Sequence, residues 1–521
     1  MSVYGASATR DRQAWLFGLT GPQFFMVLAA GFPTWMAIAI GQWLALLGLV
    51  PMWGVVALLI CLPIRGHSAF QWIGVLFRHL AGAAFGWSRF QSKAAAGDLD
   101  LGDADDDEDD GDADDDEDDG DAGEADLPGI LSSIQIHDGP PMTGQTARPA
   151  IIQNHATRTW AATARVVHPG IGMSDDADRF RMGAGLTEMM EAATAGNQID
   201  LIVVQVRTIP DDGTERDEWV RHNARPDEPE VSARVNTQLE SMTAGAAVRR
   251  EAFVTVVVRE DVINKDAKRA GRGVTGRARI LYSVLAEVEA RLTGSIGCTR
   301  VNWLDSSELA VAIRTGFEPG DAPALADAAI HHREDPSIAA GIPVAAAGPT
   351  NASTALRSYR HGEWESISST ILLPRKGARM GALARVLVPS QPGERRALTV
   401  FYRPVSQQSA DRATGRAQMS AVMAGTLREK AGKVERAKDR QSVGKLHDRD
   451  EKLEMGRSLV KVSSAISVTV PAGWNVQDFG RRLDASIRIS GFTPLPLDGA
   501  HDAAFAVSAI PLGAGLPKKR R

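Results

Sequence analysis

The chain has 521 residues, 23% of them charged, and a formal charge of −6. Of its 64 acidic residues, 19 lie between Asp98 and Asp126, a stretch without Lys or Arg, so the remainder is net basic. The two cysteines, Cys61 and Cys298, lie far apart without a CxxC or a Cys/His cluster, which excludes a disulfide framework and a structural zinc site and fits a reducing compartment.

Gln23 to Ile64 contains no charged residue. A membrane span needs about 20 apolar residues, so the run predicts two transmembrane helices, near Pro22–Ile40 and Trp43–Ile64, with Gly41-Gln42 as the tip. It is too long for the apolar part of a signal peptide, and it lacks a basic start followed by a small-residue cleavage site. Arg10 and Arg12 before it, and Arg65, Arg78, Arg89 and Lys93 after it, predict a multi-pass plasma (inner) membrane protein with both termini cytoplasmic. Six of the eleven tryptophans fall in this first region, where indoles suit an interface. Ala69–Trp87 carries Phe70, Ile73, Phe77, Leu80 and Ala84 at helical spacing, with Arg78 and His79 at its centre. It predicts a helix lying in the interface, with a first soluble core helix as the alternative. Residues 1–97 are thus expected to form a membrane anchor.

Residues 98–126 read as an acidic disordered linker, in which GDADDDEDD at 102–110 recurs at 111–119. Like charge at that density resists collapse. Asp106, Glu108, Asp110, Gly111 and Glu117 approach an EF-hand loop spacing, but no amphipathic helix flanks them, and a spacer is the reading adopted.

A first α+β lobe is expected over 127–317. Trp160–Val167, Ile199–Ile209 and Phe253–Val258 read as strands, the last two as apolar runs suited to burial. Asp176–Ala195, Val231–Val248 and Arg277–Leu292 read as helices, and Asp305 with Glu308 opens another in capping-box style. An Ala/Pro/Gly-rich joint follows at 318–354. A second α+β lobe over 355–521 is expected to hold a strand at Trp364–Leu373, a short apolar helix at Met380–Val388 and a strand at Ala397–Tyr402. A charged helical hairpin at about 407–452, striped by Met419, Met423, Leu427 and Val434, is expected to project from this lobe. Alternation from Val460 to Val470 predicts a half-buried strand, Asn475–Ile489 a helix, and Phe505–Ile510 a closing strand. Strand, helix and strand in close succession suggest ferredoxin-like α+β units in both lobes.

The chain carries no recognisable catalytic motif, and no catalytic, cofactor or metal residues are assigned. The nearest string to a phosphate-binding loop, Gly271 to Ala278, has Arg277 where Lys is needed and Ala278 where a hydroxyl is needed, and no strand is predicted before it. There is no GxSxG, no HExxH and no GxGxxG after a strand. His331-His332 with Glu334 reads as an exposed polar turn, and Lys518 to Arg521 as a solvated basic tail.

Four segments carry a resemblance: Gly18 to Gln23 (GLTGPQ), Leu127-Pro-Gly-Ile130, Ser358-Tyr359-Arg360 with Gly362 and Trp364, and Ala504-Phe505 through Ile510-Pro511-Leu512-Gly513. In this order they resemble the two-span-anchored membrane proteins of actinobacterial conjugative elements, found beside small PrgI-type membrane proteins. The cytoplasmic part of that family resembles the N-terminal non-catalytic domain of TrbE/CagE-type conjugation ATPases. In those ATPases the IPLG-like segment leads into a nucleotide-binding domain, whereas here only eight residues follow Gly513. The resemblance implies a non-enzymatic inner-membrane scaffold of a type IV secretion-like conjugation apparatus. Its implied partners are a conjugation-type ATPase, small PrgI-like membrane subunits and the lipid bilayer, without sequence-specific nucleic-acid binding; self-association stays open. The alternatives are an EccE-like anchoring subunit of a type VII-like exporter, and a membrane enzyme with an unfamiliar site.

Overall fold

The computed structural model describes residues 21–97, 125–412 and 457–515, apart from 62, 65–66, 87, 143–147, 171–173, 211–212, 224–228, 244–247, 339 and 375–380. Between 413 and 456 it describes only 414–415, 444, 451 and 453–455. The acidic repeat and the stripe from Met419 to Val434 lie outside the described residues. The chain divides into two compact units, one of Met1–Ala6, Ser88–Pro404 and Val460–Arg521, the other of Ser7–Trp87 and Val405–Leu459.

In the second of these units the uncharged stretch folds as α1 (Gly21–Ala30), α2 (Phe32–Ala39) and α3 (Trp43–Cys61). A two-residue strand pair, β1 (Pro63–Ile64) and β2 (His67–Ser68), then precedes α4 (Ala69–Ala84). Among the described residues no helix is long and apolar enough to cross a membrane. The expected first span breaks at Gly31 into helices of 10 and 8 residues. At a rise of about 1.5 Å per residue these reach roughly 15 and 12 Å against a hydrocarbon core of about 30 Å. The second, α3, has 19 residues with Pro51 inside, and reaches about 28 Å. The expected transmembrane hairpin is therefore corrected, and with it the multi-pass membrane localisation. Uncharged length alone misled, because it does not reveal where a helix breaks. The indole N–H of Trp53 donates to the Val27 carbonyl at 3.0 Å, tying α3 to α1.

The larger unit is α+β and is built on one thirteen-stranded sheet. Its elements begin with β3 (Arg89–Gln91), α5 (Lys93–Ala96), β4 (Ile134–Asp138), β5 (Ala150–Asn154) and β6 (Thr159–Val167). α6 (Asp176–Gly196), β7 (Ile199–Pro210), α7 (Thr214–Asn223), α8 (Glu230–Thr243) and β8 (Val248–Arg259) come next. Then follow α9 (Glu260–Ala270), α10 (Gly273–Arg291), β9 (Arg300–Trp303), α11 (Ser306–Phe317) and α12 (Ala322–Glu334). The remaining elements are β10 (Asn351–Thr354), β11 (Tyr359–His361), β12 (Trp364–Leu372), β13 (Arg395–Val405), β14 (Leu459–Pro471), α13 (Val476–Ile489), β15 (Thr493–Pro496) and α14 (His501–Ala509). Across the sheet the order is β3-β10-β11-β12-β14-β13-β7-β8-β6-β5-β4, with β15 also on β12 and β9 also on β6.

That order reads the same outward from its centre. On one side, β9-β6-β8-β7 is the 4-1-3-2 order of a βαββαβ unit; on the other, β15-β12-β14-β13 is the same order. Each unit is preceded by a hairpin (β4–β5, β10–β11) whose second strand pairs with the start of the unit's first strand. A helix trails each unit, α11 after β9 and α14 after β15. The two units meet where β7 pairs antiparallel with β13, from Ile202↔Tyr402 to Arg207↔Ala397. The ranges expected to form two lobes thus share one sheet.

Alternation along the strands assigns the faces. Ala162, Ile202, Val254 and Val256 pack with α6, α9 and α10, while Ile466, Val468 and Val470 pack with α13. Ala161, Val203, Val257, Phe401 and Ala465 turn to the opposite face, where α11 and α14 share a single core.

Three local expectations are corrected. Residues 505–509 form the end of helix α14 rather than part of a strand at 505–510, since a short apolar run does not by itself fix its period. In place of the helix expected at Met380–Val388, the described residues 381–388 form a 3₁₀ turn at Ala384–Leu387. β14 is buried on both faces from Ser464 to Val470 rather than half-buried, because its hydroxyls are taken up inside the fold, Ser467 by Ser508 of α14 and Thr469 by Ser366 of β12.

Candidate functional site

The seam between the two four-stranded units is where buried polar groups concentrate. Helix ends leave carbonyls without intrahelical partners, and the C-terminal end of α14 is buried, so the sheet must satisfy them. Gln205 Nε2 and Thr399 Oγ1, opposite one another in the β7–β13 register, each donate to the Ser508 carbonyl at 2.9 Å. Thr163 Oγ1 donates to the Pro511 carbonyl at 2.7 Å. Arg207 Nη1 reaches both trailing helices, at 2.6 Å from the Ala312 carbonyl and 3.3 Å from that of Ala509. Its Nη2 donates to Thr315 Oγ1 at 2.7 Å, and Nε and Nη2 donate to Glu251 Oε2 at 3.0 and 2.9 Å. Burial disfavours the Glu251 carboxylate, but the Arg207 and Arg165 guanidiniums outweigh it and hold the carboxyl below its usual range. The ion pair ties β7 to β8 within the first unit, and Arg207 carries the connection to the second through the Ala509 carbonyl.

Beside it, hydroxyls run across β12, β14 and α14: Ser368 bonds Ser467 at 2.7 Å, and Ser467 bonds Ser508. His361, on β11, is fully buried. Its Nδ1–H donates to the Phe317 carbonyl at 2.6 Å, so Nε2 accepts from the Ser366 hydroxyl at 2.8 Å. Burial lowers its pKa to about 3, and the imidazole is neutral. These side chains hold one another across β11, β12, β14 and α14.

Three of the segments singled out in the sequence meet here. Phe505 stacks on His361 at 4.2 Å and packs against Tyr359 and Phe317 at 5.4 and 5.5 Å between ring centres. Leu127, Tyr359, Phe505, Ile510 and Leu512 belong to one core. The fourth segment, 18–23, lies outside the described residues except for its last three. Gln205, Arg207, Thr399 and Glu251 were not singled out from sequence, although a Gln and an Arg inside the apolar run of 199–209 were the available signal.

The string from Gly271 to Ala278 lies at the turn from α9 into α10, with a helix, not a strand, before it. It borders a cavity of about 350 Å³ lined by Asn264, Ala267, Lys268, Arg272, Gly273 and Arg277. His331 and His332 sit exposed in the last turn of α12, bonded to the carbonyls of Asp327 and Ile338 at 2.9 and 2.6 Å. Among the described residues no group of three His, Cys, Asp or Glu could hold a metal ion. The basic tail at 518–521 lies outside the described residues. Neither a protein-family model nor a curated protein matches the chain.

Proposed function

We propose that this protein is a non-catalytic scaffold subunit of a type IV secretion-like conjugation apparatus, whose work is to dock a partner ATPase. The observation that supports this reading is the convergence around Phe505. Segments 127–130, 358–364 and 504–513, far apart in sequence and quoted together for their resemblance to conjugation proteins, pack in one core at the seam. A chance likeness of short strings would not be expected to select segments that touch.

The test is crosslinking in cells followed by affinity capture of the tagged full chain and mass spectrometry. A conjugation-type ATPase is the expected product. Recovery of an FtsK-like secretion ATPase in its place would favour the type VII-like alternative. ATP hydrolysis by the purified chain alone would overturn the scaffold reading.

A further inference from the structure

The cavity at the α9–α10 turn lies apart from the seam, and the docking reading does not use it. Its charged lining is wholly cationic: Lys268, Arg272 and Arg277, with Asn264 as a neutral donor and acceptor and no carboxylate. The three cations are not equivalent. Arg277 is built in, with Nη1 donating to the Gly273 carbonyl at 2.9 Å, Nη2 donating to Glu260 Oε1 at 3.1 Å, and its guanidinium 5.0 Å over the Trp160 ring. Its Nε is buried and has no hydrogen-bond partner. Lys268 and Arg272 are exposed, and neither has an ion-pair partner among the described residues. The neighbouring acids are already engaged, Glu260 by Arg277 and Asp266 by Arg269 at 3.6 Å.

Gly271, Arg272 and Gly273 all have positive φ, at 141°, 57° and 53°. Through this turn the 19-residue helix α10 starts on the cavity without a side-chain cap at Arg272. Gly273, the first residue of α10, lines the cavity beside the cations, and the first amides of a helix have no intrahelical carbonyl to serve them. A ligand with a dense, small negative charge and several acceptor oxygens complements such a lining, and about 350 Å³ accommodates a diphosphate group.

We propose that the α9–α10 cavity is a binding site for a small phosphorylated ligand, with Lys268 and Arg272 as the charge that recruits it and Arg277 as the fixed wall. No hydrolysis follows from this lining, because it holds neither a general base nor a hydroxyl to carry a metal.

Isothermal titration calorimetry of the full chain with inorganic pyrophosphate tests the proposal. Saturable one-site binding is expected, weakened at least about tenfold by Lys268→Ala with Arg272→Ala, since both charge-assisted contacts to the oxyanion are lost. The pair Lys265→Ala with Arg269→Ala removes the same charge from α9 outside the lining and is expected to leave affinity within about twofold. All four side chains are exposed, so unchanged thermal unfolding of both variants is expected. Absence of saturable heat, or equal weakening by the two pairs, would reduce the cavity to diffuse surface charge and overturn the site.

Discussion

Glu318 ends α11, and its carboxylate lies against Gly362 in the β11–β12 turn, so closely that a Cβ at Gly362 would overlap it. Gly362 has φ +53°, so the position is doubly reserved for glycine. Burial pushes the Glu318 carboxyl up to about 7, with Arg314 opposing the rise and Asp321 adding to it, while the backbone hydrogen bond from Glu363 and that residue's charge act in opposite senses. Arg314 is itself held by Asp321 at 2.7 Å, which limits its help. A carboxyl whose folded pKa exceeds its unfolded value binds its proton more tightly when folded. Stability from this group is therefore greatest below its ordinary value near 4.5, falls as pH rises through the interval to about 7, and stays low above it. The predicted cost at pH 8 is on the order of 2–3 kcal/mol. Glu318→Gln removes the titration, so its melting temperature should exceed that of the wild type at pH 8 and should lack the rise on acidification between pH 7 and 5. Parallel melting curves for the two proteins across that range would refute the assignment.

At the scale of elements, strands were the most legible part of the sequence where apolar runs were long. Ile199–Ile209 marks β7 to within a residue, and the Asp305–Glu308 capping box forms as expected, with the Asp305 side chain accepting the Glu308 amide at 2.7 Å. The α14 segment was not legible as a helix. From Ala504 to Ala509 the helix is buried on every side, so the segment HDAAFAVSA shows no continuous polar stripe to mark its period. The polar alternation of β14 misled for the converse reason: Ser467 and Thr469 look solvent-facing but spend their hydroxyls on Ser368, Ser508 and Ser366. The seam ion pair was hidden in the same way, since Arg207 and Glu251 are 44 positions apart and only register brings them together. Phe505 is the largest side chain α14 buries at the junction. Phe505→Ala should cost about 3–5 kcal/mol through lost burial and the cavity left between Tyr359, His361 and Phe317. Chemical denaturation of the larger unit's fluorescence would measure it, and a loss under about 1 kcal/mol would mean that α14 is a peripheral element rather than the keystone of the seam.

At the scale of the whole molecule, the repeated order was partly visible in the sequence as strand–helix–strand successions, but its symmetry was not. Between its first two strands the second unit has, among the described residues, a 3₁₀ turn where the first unit has the 21-residue α6, so the copies differ in composition. The acidic insert falls between β3 and β4, ahead of both repeats. Its like charges resist packing, and deleting residues 103–122 is predicted to shift the melting temperature by less than about 1 °C, consistent with a surface change. Calcium-dependent stabilisation of the intact chain that the deletion abolishes would show instead that the acidic repeat is a structured site.

The division into two units constrains the order of events during synthesis. The smaller unit draws on Ser7–Trp87 and on Val405–Leu459, so it cannot be completed until its second piece has been made. More than three hundred residues of the other unit are translated in between. At about 5–20 residues per second, the early segment waits on the order of 15–60 s for the rest of its unit. During that interval it carries side chains such as Phe32, Trp35, Leu44 and Leu47, which the finished structure also leaves exposed. Nascent chains of this protein therefore present a sticky leading segment well before the sheet can close. Arrest at residue 317 or 404 should accordingly give ribosome-bound chains that crosslink to holding chaperones through the region of α1 to α3.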